Sequence, residues 1–216
     1  MSIFSLDSHL IHFLDKAADI IILNILYIIC SIPLITIGAA NSAAFIVADK
    51  LRKNEETSVV KDFFSGFKST FKKSTLCWII MMITGLILIF DFKIASTFTI
   101  DFVIPFRIVI TIVGVIYLFT LLYLFQYISR FNSGIFLCFK NSFFLSIANL
   151  PYTIMILVLI FLCALVTYIV GIYITASFWT LAGFASLIYS LSSVYTKVFD
   201  SINIKLSSED YRNENA

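Results

Sequence analysis

Residues 24–48, NILYIICSIPLITIGAANSAAFIVA, decide the fold, because they carry no charge and are broken in the middle. Extended back to Ile20, this stretch would be about 43 Å long as one helix, which exceeds a hydrocarbon core of about 30 Å. Pro33 removes a backbone donor and clashes with the preceding turn, and Gly38 follows it. We therefore expect a first membrane span over residues 20–37, a break at Pro33–Gly38 and a second helix of small residues from 39 to about 52.

The composition is that of a membrane protein. Hydrophobic residues make up 60% of the chain and charged residues 13%, whereas soluble domains carry about 25% charged residues. No charged residue lies between Lys140 and Lys197, and this gap holds two spans of about 20 residues. The sequence thus predicts an all-α polytopic membrane protein, a bundle of five transmembrane helices with the first one kinked at Pro33–Gly38.

Apolar runs predict the other four spans, at about residues 74–90, 105–128, 150–174 and 178–198. Pro105 and Pro151 are placed in the first turns of their helices, where a missing N–H costs nothing. These spans belong to one transmembrane domain, residues 20–198, whose inner side carries an amphipathic helix and a basic segment at 39–73. Residues 1–19 have the spacing of an interfacial amphipathic helix, and residues 199–216 are expected to form a polar tail.

The distribution of basic residues predicts the orientation in the membrane. With the 49–73 segment inside, twelve Lys and Arg fall on the inner side and three on the outer side. The N-terminus is therefore expected outside and the C-terminus in the cytoplasm. If the helix at 39–52 counted as a further span, the N-terminus would reverse.

Two segments suggest an internal repeat. Residues 67–74, FKSTFKKS, precede the second span, and residues 139–146, FKNSFFLS, precede the fourth. One interpretation is that spans 1–2 and 3–4 are two copies in parallel orientation. The other is that Phe and Lys are common at the inner edge of membrane spans.

The motif around the break resembles the first block of the YesL-like family of small bacterial membrane proteins. Residues 67–78 look like its second block, and residues 123–131 are similar to its third, where the family has Pro at the position of Gln126. Members of that family are encoded beside sugar-uptake transporters and polysaccharide-degrading enzymes in Gram-positive bacteria. The resemblance implies a bacterial cell-membrane location and a link to carbohydrate use, but no mechanism. The residues that carry the first block are Asn24, Tyr27, Ser31, Pro33, Thr36, Ile37, Gly38, Ala39 and Ala40.

Three groups of residues are candidate sites. An unwound break can line a solute site, or its polar groups can simply repair the kink by hydrogen bonding; this polar kink site comprises Asn24, Ser31, Pro33, Thr36, Gly38 and Asn41. A polar stripe in the fifth span can line a pore or form a close helix seam; it comprises Ser186, Ser190 and Ser193. The basic segment can contact a partner or anionic lipid, or act only as a topology signal; it holds Lys50, Arg52, Lys53, Lys61, Lys68, Lys72 and Lys73.

The sequence offers little support for chemistry. His9 and His12, beside Asp7 and Asp15, share a helix face, but zinc needs four ligands and no others are fixed nearby. No phosphate-binding loop, nucleophile elbow, zinc-protease motif or redox pair is present. We therefore expect no catalytic residue, no metal, no cofactor and no nucleic-acid partner, and the chain is predicted not to be an enzyme.

Two functions remain. The first is a non-enzymatic accessory or scaffold protein linked to carbohydrate uptake or use, with the lipid bilayer and a sugar transporter subunit or another membrane protein as partners. The alternative is a facilitator or transporter of a small uncharged solute such as a sugar. A facilitator requires a polar cavity beside Pro33–Gly38, whereas a scaffold leaves that region dry and packed.

Overall fold

A computed structural model describes residues 3–55, 58–95 and 100–214, and every regular element within these ranges is helical. A 3₁₀ turn, Leu34–Thr36, follows the first helix, and a π-helical turn, Trp179–Gly183, precedes the last. The expected all-α architecture is confirmed. The helices are α1 (Ile3–Ser31), α2 (Ile37–Arg52), α3 (Val59–Ala95), α4 (Ile100–Arg130), α5 (Ile135–Ala148), α6 (Leu150–Val170), α7 (Ile172–Phe178) and α8 (Phe184–Glu214).

Among the described residues, five helical segments are long and apolar enough to cross a membrane, as expected. They include Leu34–Arg52, which contains the small-residue helix α2, whereas α1 ends at Ser31; the expected first span at residues 20–37 stays a prediction. The break itself is confirmed and lies between Ser31 and Ile37. The five segments are Leu34–Arg52, Val59–Ile94, Pro105–Arg130, Leu150–Val170 and Tyr173–Phe199.

Several helices extend beyond the expected spans. The lysine-rich residues 59–73 form the first turns of α3, α1 runs through residues 19 and 20 without a break, and α8 continues to Glu214. Hydropathy marks where a helix is apolar, but Lys, Ser and Glu also support helices, so the helix continues past that limit. The helix α4 begins at Ile100, so Pro105 lies inside the helix rather than in its first turn. The placement of Pro105 was therefore wrong.

The start of α6 agrees with the sequence, and its end does not. Pro151 is the second residue of the helix, and Asn149 precedes it, although the Asn149 side chain makes no capping hydrogen bond. The helix ends before Gly171, whose φ of 91° is a conformation that glycine adopts without steric cost. The turn was expected at residues 175–177, and instead α7 follows Gly171 directly.

The chain divides into two compact units. Unit 1 contains Met1–Ile29, Ala44–Phe63 and Asn149–Ala216, and unit 2 contains Cys30–Ala43 and Phe64–Ala148. In unit 1, α6 packs on α8, and in unit 2, α4 packs on α5.

Gly38 lies at a close contact between α2 and α3 in unit 2. A Cβ atom added to Gly38 would lie 2.6 Å from the Ser74 carbonyl oxygen and 2.7 Å from Trp78 Cβ. One turn later, the Ser42 and Ser74 hydroxyls hydrogen-bond at 2.8 Å. Gly38 was expected within the break, but it lies in the first turn of α2, where its missing side chain lets two helix backbones approach closely.

We expect Gly38→Ala to destabilise the protein by about 1–3 kcal/mol, because the new methyl group meets backbone that cannot move aside. The measurement is the free energy of unfolding in one detergent. The control is Gly114→Ala on α4, where a Cβ has nothing within 4 Å and alanine favours the helix by about 1 kcal/mol. Equal stability of the two variants would contradict the close contact.

Candidate functional site

The side chain of Asn24 binds the π-helical turn in unit 1. Its Nδ2 donates to the carbonyl oxygens of Trp179 and Thr180 at 3.1 and 2.9 Å, and its Oδ1 accepts from the Ala185 N–H at 3.0 Å. A π turn shifts the helical bonds by one residue and displaces backbone groups from their usual partners. Asn24 is fully buried, and its one amide serves three such groups.

Trp179 holds the same turn from the other side. Its indole Nε1 donates to Thr167 Oγ1 of α6 at 3.1 Å, and its ring lies 5.1 Å from that of Phe184. Gly183 completes the turn, since a Cβ there would lie 2.6 Å from the Trp179 ring. The turn is thus fixed by α1 through Asn24 and by α6 through Thr167.

A groove of about 260 Å³ lies between α6 and this turn. Its polar lining includes Thr167, Trp179, Ser186 and Ser190, and its other walls are mainly apolar. The Thr167 hydroxyl donates to the Cys163 carbonyl at 2.8 Å while accepting from the Trp179 indole. The groove therefore offers a mainly carbon-lined space whose principal donors are already engaged.

The three serines predicted as a stripe bond to their own helix. Ser186 donates to the Gly183 carbonyl and Ser190 to the Ser186 carbonyl, both at 2.9 Å, and Ser193 lies 3.4 Å from the Tyr189 carbonyl. Two of them line the groove, but whether the stripe is a functional seam stays a prediction.

The polar link from α8 to another helix was missed in the sequence. Ser192 is fully buried and donates to a carboxylate oxygen of Asp49 on α2, and the Arg52 guanidinium donates to Thr196 Oγ1 at 2.8 Å. Asp49 was overlooked because α2 was assigned to the inner surface, where a carboxylate needs no partner. The indication in the sequence was that Asp49 lies near the end of an apolar helix, where a carboxylate needs a partner.

The backbone at the break is hydrogen-bonded within unit 2. Thr36 Oγ1 lies 2.6 Å from the Cys30 carbonyl oxygen and 2.7 Å from that of Pro33, so its proton serves either one. The Trp78 indole donates to the Leu34 carbonyl at 2.7 Å. Two side chains therefore bind backbone carbonyl groups at the break.

The six residues predicted for the kink site are divided between the two units, and their role as one site stays a prediction. Asn24 belongs to unit 1 and the other five to unit 2. Ser31 Oγ is buried without a hydrogen-bond partner among the described residues, whereas Asn41 is half-buried and engaged. Four of the six have clear structural positions: Asn24 at the π turn, Pro33 and Thr36 at the break, and Gly38 at the contact with α3.

The seven basic residues predicted as a contact surface divide into two groups. Four are bound to neighbours: Lys50 to Asp62 at 2.7 Å, Arg52 to Thr196, Lys53 to Glu55 at 3.9 Å, and Lys73 to Asn132 Oδ1 at 2.7 Å. The others are exposed on α3 and make no hydrogen bond or ion pair with the residues that the structure describes; they are Lys61, Lys68 and Lys72.

The side chains of His9 and His12 lie outside the described residues, so the histidine pair stays a prediction. Further along α1, partial burial raises the pKa of the Asp19 carboxyl group, and the nearby Asp15 carboxylate raises it further. Elsewhere in the described part of the chain, no group of three or more His, Cys, Asp or Glu is placed to hold a metal ion.

These features define a helical integral membrane protein whose irregular turns are fixed by internal hydrogen bonds. Residues 20–92, which are 73 of the 216 residues, match the family model described as Protein of unknown function, DUF624. The matched part includes the break, Gly38 and the exposed lysines of α3. The comparisons with curated proteins and with solved structures gave no match.

We expect Asn24→Leu to lower the free energy of unfolding by about 2–4 kcal/mol, because it leaves two carbonyl groups and one N–H without their partner. The matched control is Asn132→Leu, which removes one exposed contact with Lys73 and should cost less than about 1 kcal/mol. Both variants are compared in the same detergent. Equal losses would show that Asn24 does not hold the π turn.

Proposed function

We propose that this is a non-enzymatic accessory or scaffold protein of the bacterial cell membrane, which holds a membrane partner through the start of α3. The observation that carries the proposal is the contrast between the kink and the basic segment. At the kink, polar groups hold the fold together, whereas exposed lysines on α3 remain for an outside contact.

The surroundings of the break support a scaffold over a solute facilitator. Its exposed side chains are the apolar Ile32, Pro33, Leu34 and Ile35, which suit contact with lipid rather than a wet path. Gly38, which follows the break, packs tightly against α3. A facilitator for a sugar needs several unpaired polar groups around its solute, since buried polar groups provide selectivity, whereas at the break the buried Ser31 hydroxyl is unpaired and Thr36 is engaged.

The contact surface that we propose is the basic face of α3, defined as Phe64, Lys68, Phe71 and Lys72 of unit 2. All four side chains are exposed, Phe64 by 50% and Phe71 by 38%. Spacings of three, four and seven residues place them on one side of a helix. Lysines beside exposed aromatic rings suit a partner with acidic and apolar groups. Lys61, also exposed, lies earlier on the same helix.

The proposed partner is a sugar transporter subunit or another membrane protein of carbohydrate uptake. The support is the resemblance of residues 24–40 to the YesL-like family, together with the match of residues 20–92 to a family of unknown function. Neither supplies a catalytic group, and the proposal assigns no reaction to the chain.

The proposed orientation has the N-terminus outside and the C-terminus in the cytoplasm. The basic start of α3 then faces the cytoplasm, in keeping with the excess of Lys and Arg on that side. A cysteine introduced at Ser2 of the full chain should react with a membrane-impermeant maleimide added outside intact cells. Labelling only after the cells are opened would place the N-terminus inside and contradict the proposed orientation.

The partner proposal is tested with a photocrosslinker at Ser69, an exposed residue beside the basic face, in the full chain in its native membranes. We expect one stoichiometric adduct, lost in Lys68→Glu/Lys72→Glu because reversed charge repels an acidic surface. Lys68→Arg/Lys72→Arg should keep it, as should Lys197→Glu, an exposed lysine on α8. An adduct unchanged by charge reversal would overturn the proposal.

The facilitator alternative has its own readout. Purified protein in sealed vesicles should show no more uptake of radiolabelled sugars than empty vesicles. Saturable uptake that Gly38→Leu or Asn24→Leu abolishes, while Asn132→Leu leaves it intact, would favour the facilitator.

A further inference from the structure

The short helix α5 is held near the membrane surface by its two neighbours in the chain. Its 14 residues measure about 21 Å, which is too short to cross a hydrocarbon core of about 30 Å. Residues 131–134 join it to the end of Pro105–Arg130, and Asn149 alone separates it from Leu150–Val170. Both flanking segments are long and apolar enough to cross a membrane. Because four residues reach at most about 14 Å, α5 stays close to the membrane surface.

One side of α5 is packed within unit 2. Cys138, Ser142 and Ser146 are fully buried, and their spacing of four residues places them on the same side of the helix. The Asn141 side chain donates from Nδ2 to the Tyr127 hydroxyl of α4 at 2.7 Å. These contacts fix which residues of α5 point away from the protein.

The opposite side of α5 exposes aromatic rings on either side of a single charge. Phe136 is 79% exposed and Phe144 is 56% exposed. Lys140 is exposed between them, one helical turn from each. It is the one charged residue of α5, and it makes no hydrogen bond or ion pair with the part of the chain that the structure describes. We call these three residues the outer face of α5.

The outer face of α5 suits neither water nor the hydrocarbon core. Two exposed phenylalanine rings in water forgo the free energy of burying their apolar surface. An unpaired lysine is costly at the centre of a bilayer. The membrane interface accepts both groups, because the rings reach the acyl chains while the lysine extends its ammonium group to the phosphates.

The outer face of α5 also differs from the basic face of α3. When residues 139–146 are aligned with their counterpart at 67–74, Lys140 corresponds to Lys68, but Phe144 stands in place of Lys72. The face of α5 therefore has less charge and more apolar surface. This composition, on a helix tied at both ends to candidate spans, favours lipid over an acidic protein surface as the occupant.

We infer that the outer face of α5 binds anionic phospholipid at the membrane interface. Lys140 pairs with the headgroup phosphate, and the rings of Phe136 and Phe144 lie among the first carbons of the acyl chains. A zwitterionic headgroup carries its own cation, so the lysine gains more from a lipid with net negative charge. This inference is independent of the proposed partner contact, which uses residues of α3.

The test places the photoreactive residue p-benzoylphenylalanine at position 144 of the full chain, where it replaces one exposed aromatic ring by another. The protein is illuminated in vesicles of equal phosphatidylglycerol and phosphatidylcholine, and the adducts are identified by mass spectrometry. We expect lipid adducts in which phosphatidylglycerol is enriched about fivefold, the equivalent of about 1 kcal/mol for one lysine. Lys140→Gln should remove the enrichment but keep the lipid adducts.

Matched controls separate this contact from ordinary exposure to the bilayer. Lys140→Arg keeps the charge and should keep the enrichment, as should Lys197→Gln, which removes an exposed lysine on α8. The same photoreactive residue at Ile112, which is exposed within the apolar part of α4, should give lipid adducts with no preference between headgroups. Unfolding temperatures show that each variant folds.

Three results would overturn the inference. Equal adducts of both lipids at position 144, unchanged by Lys140→Gln, would show contact without headgroup recognition. Lipid adducts at position 112 but none at position 144 would show that α5 faces water. Adducts from position 144 to another protein or to a second copy of the chain, when the experiment is repeated in native membranes, would show that protein covers the outer face of α5.

Discussion

Everything in this structure depends on one requirement: within hydrocarbon, each backbone N–H and C=O group must find its partner inside the protein. The fold is interrupted twice, at the 3₁₀ turn after Pro33 and at the π turn before α8. At each interruption, side chains hydrogen-bond to backbone carbonyl groups: Thr36 and Trp78 do so at the first, and Asn24 at the second. Polar residues in apolar helices are therefore mainly structural in this chain.

This view separates the residues that build the protein from those that are free to act. Ser42, Ser74 and Ser192 are buried and hydrogen-bonded to other helices, and their hydroxyls stabilise helix packing. Lys68 and Lys72 do not stabilise helix packing in this way, because both side chains are exposed. Their exposure beside two phenylalanines is a more informative feature than the polarity of the kink.

Apolar runs were enough to predict the helical class and the number of candidate spans, because burial in lipid imposes these patterns directly, and Pro33 with Gly38 predicted the break. It could not predict that α3 begins at Val59, because Lys and Ser are compatible with both loop and helix. The π turn could not be predicted either, since no residue pattern distinguishes it from an α-helix. Asn24 was singled out for its polarity, but its three partners lie about 160 residues away. Such contacts follow only from tertiary packing.

The uninterrupted course of α3 has a mechanical consequence. Its part within unit 2, from Phe64 to Ala95, contains no proline and no irregular turn, so it behaves as a stiff rod about 46 Å long. Force applied by a partner at Lys68 and Lys72 would tilt the whole rod rather than bend it. The displacement would then reappear at Gly85, where α3 lies against Tyr117 of α4. A pull on the first turns of α3 would in this way change a helix contact farther along the same rod.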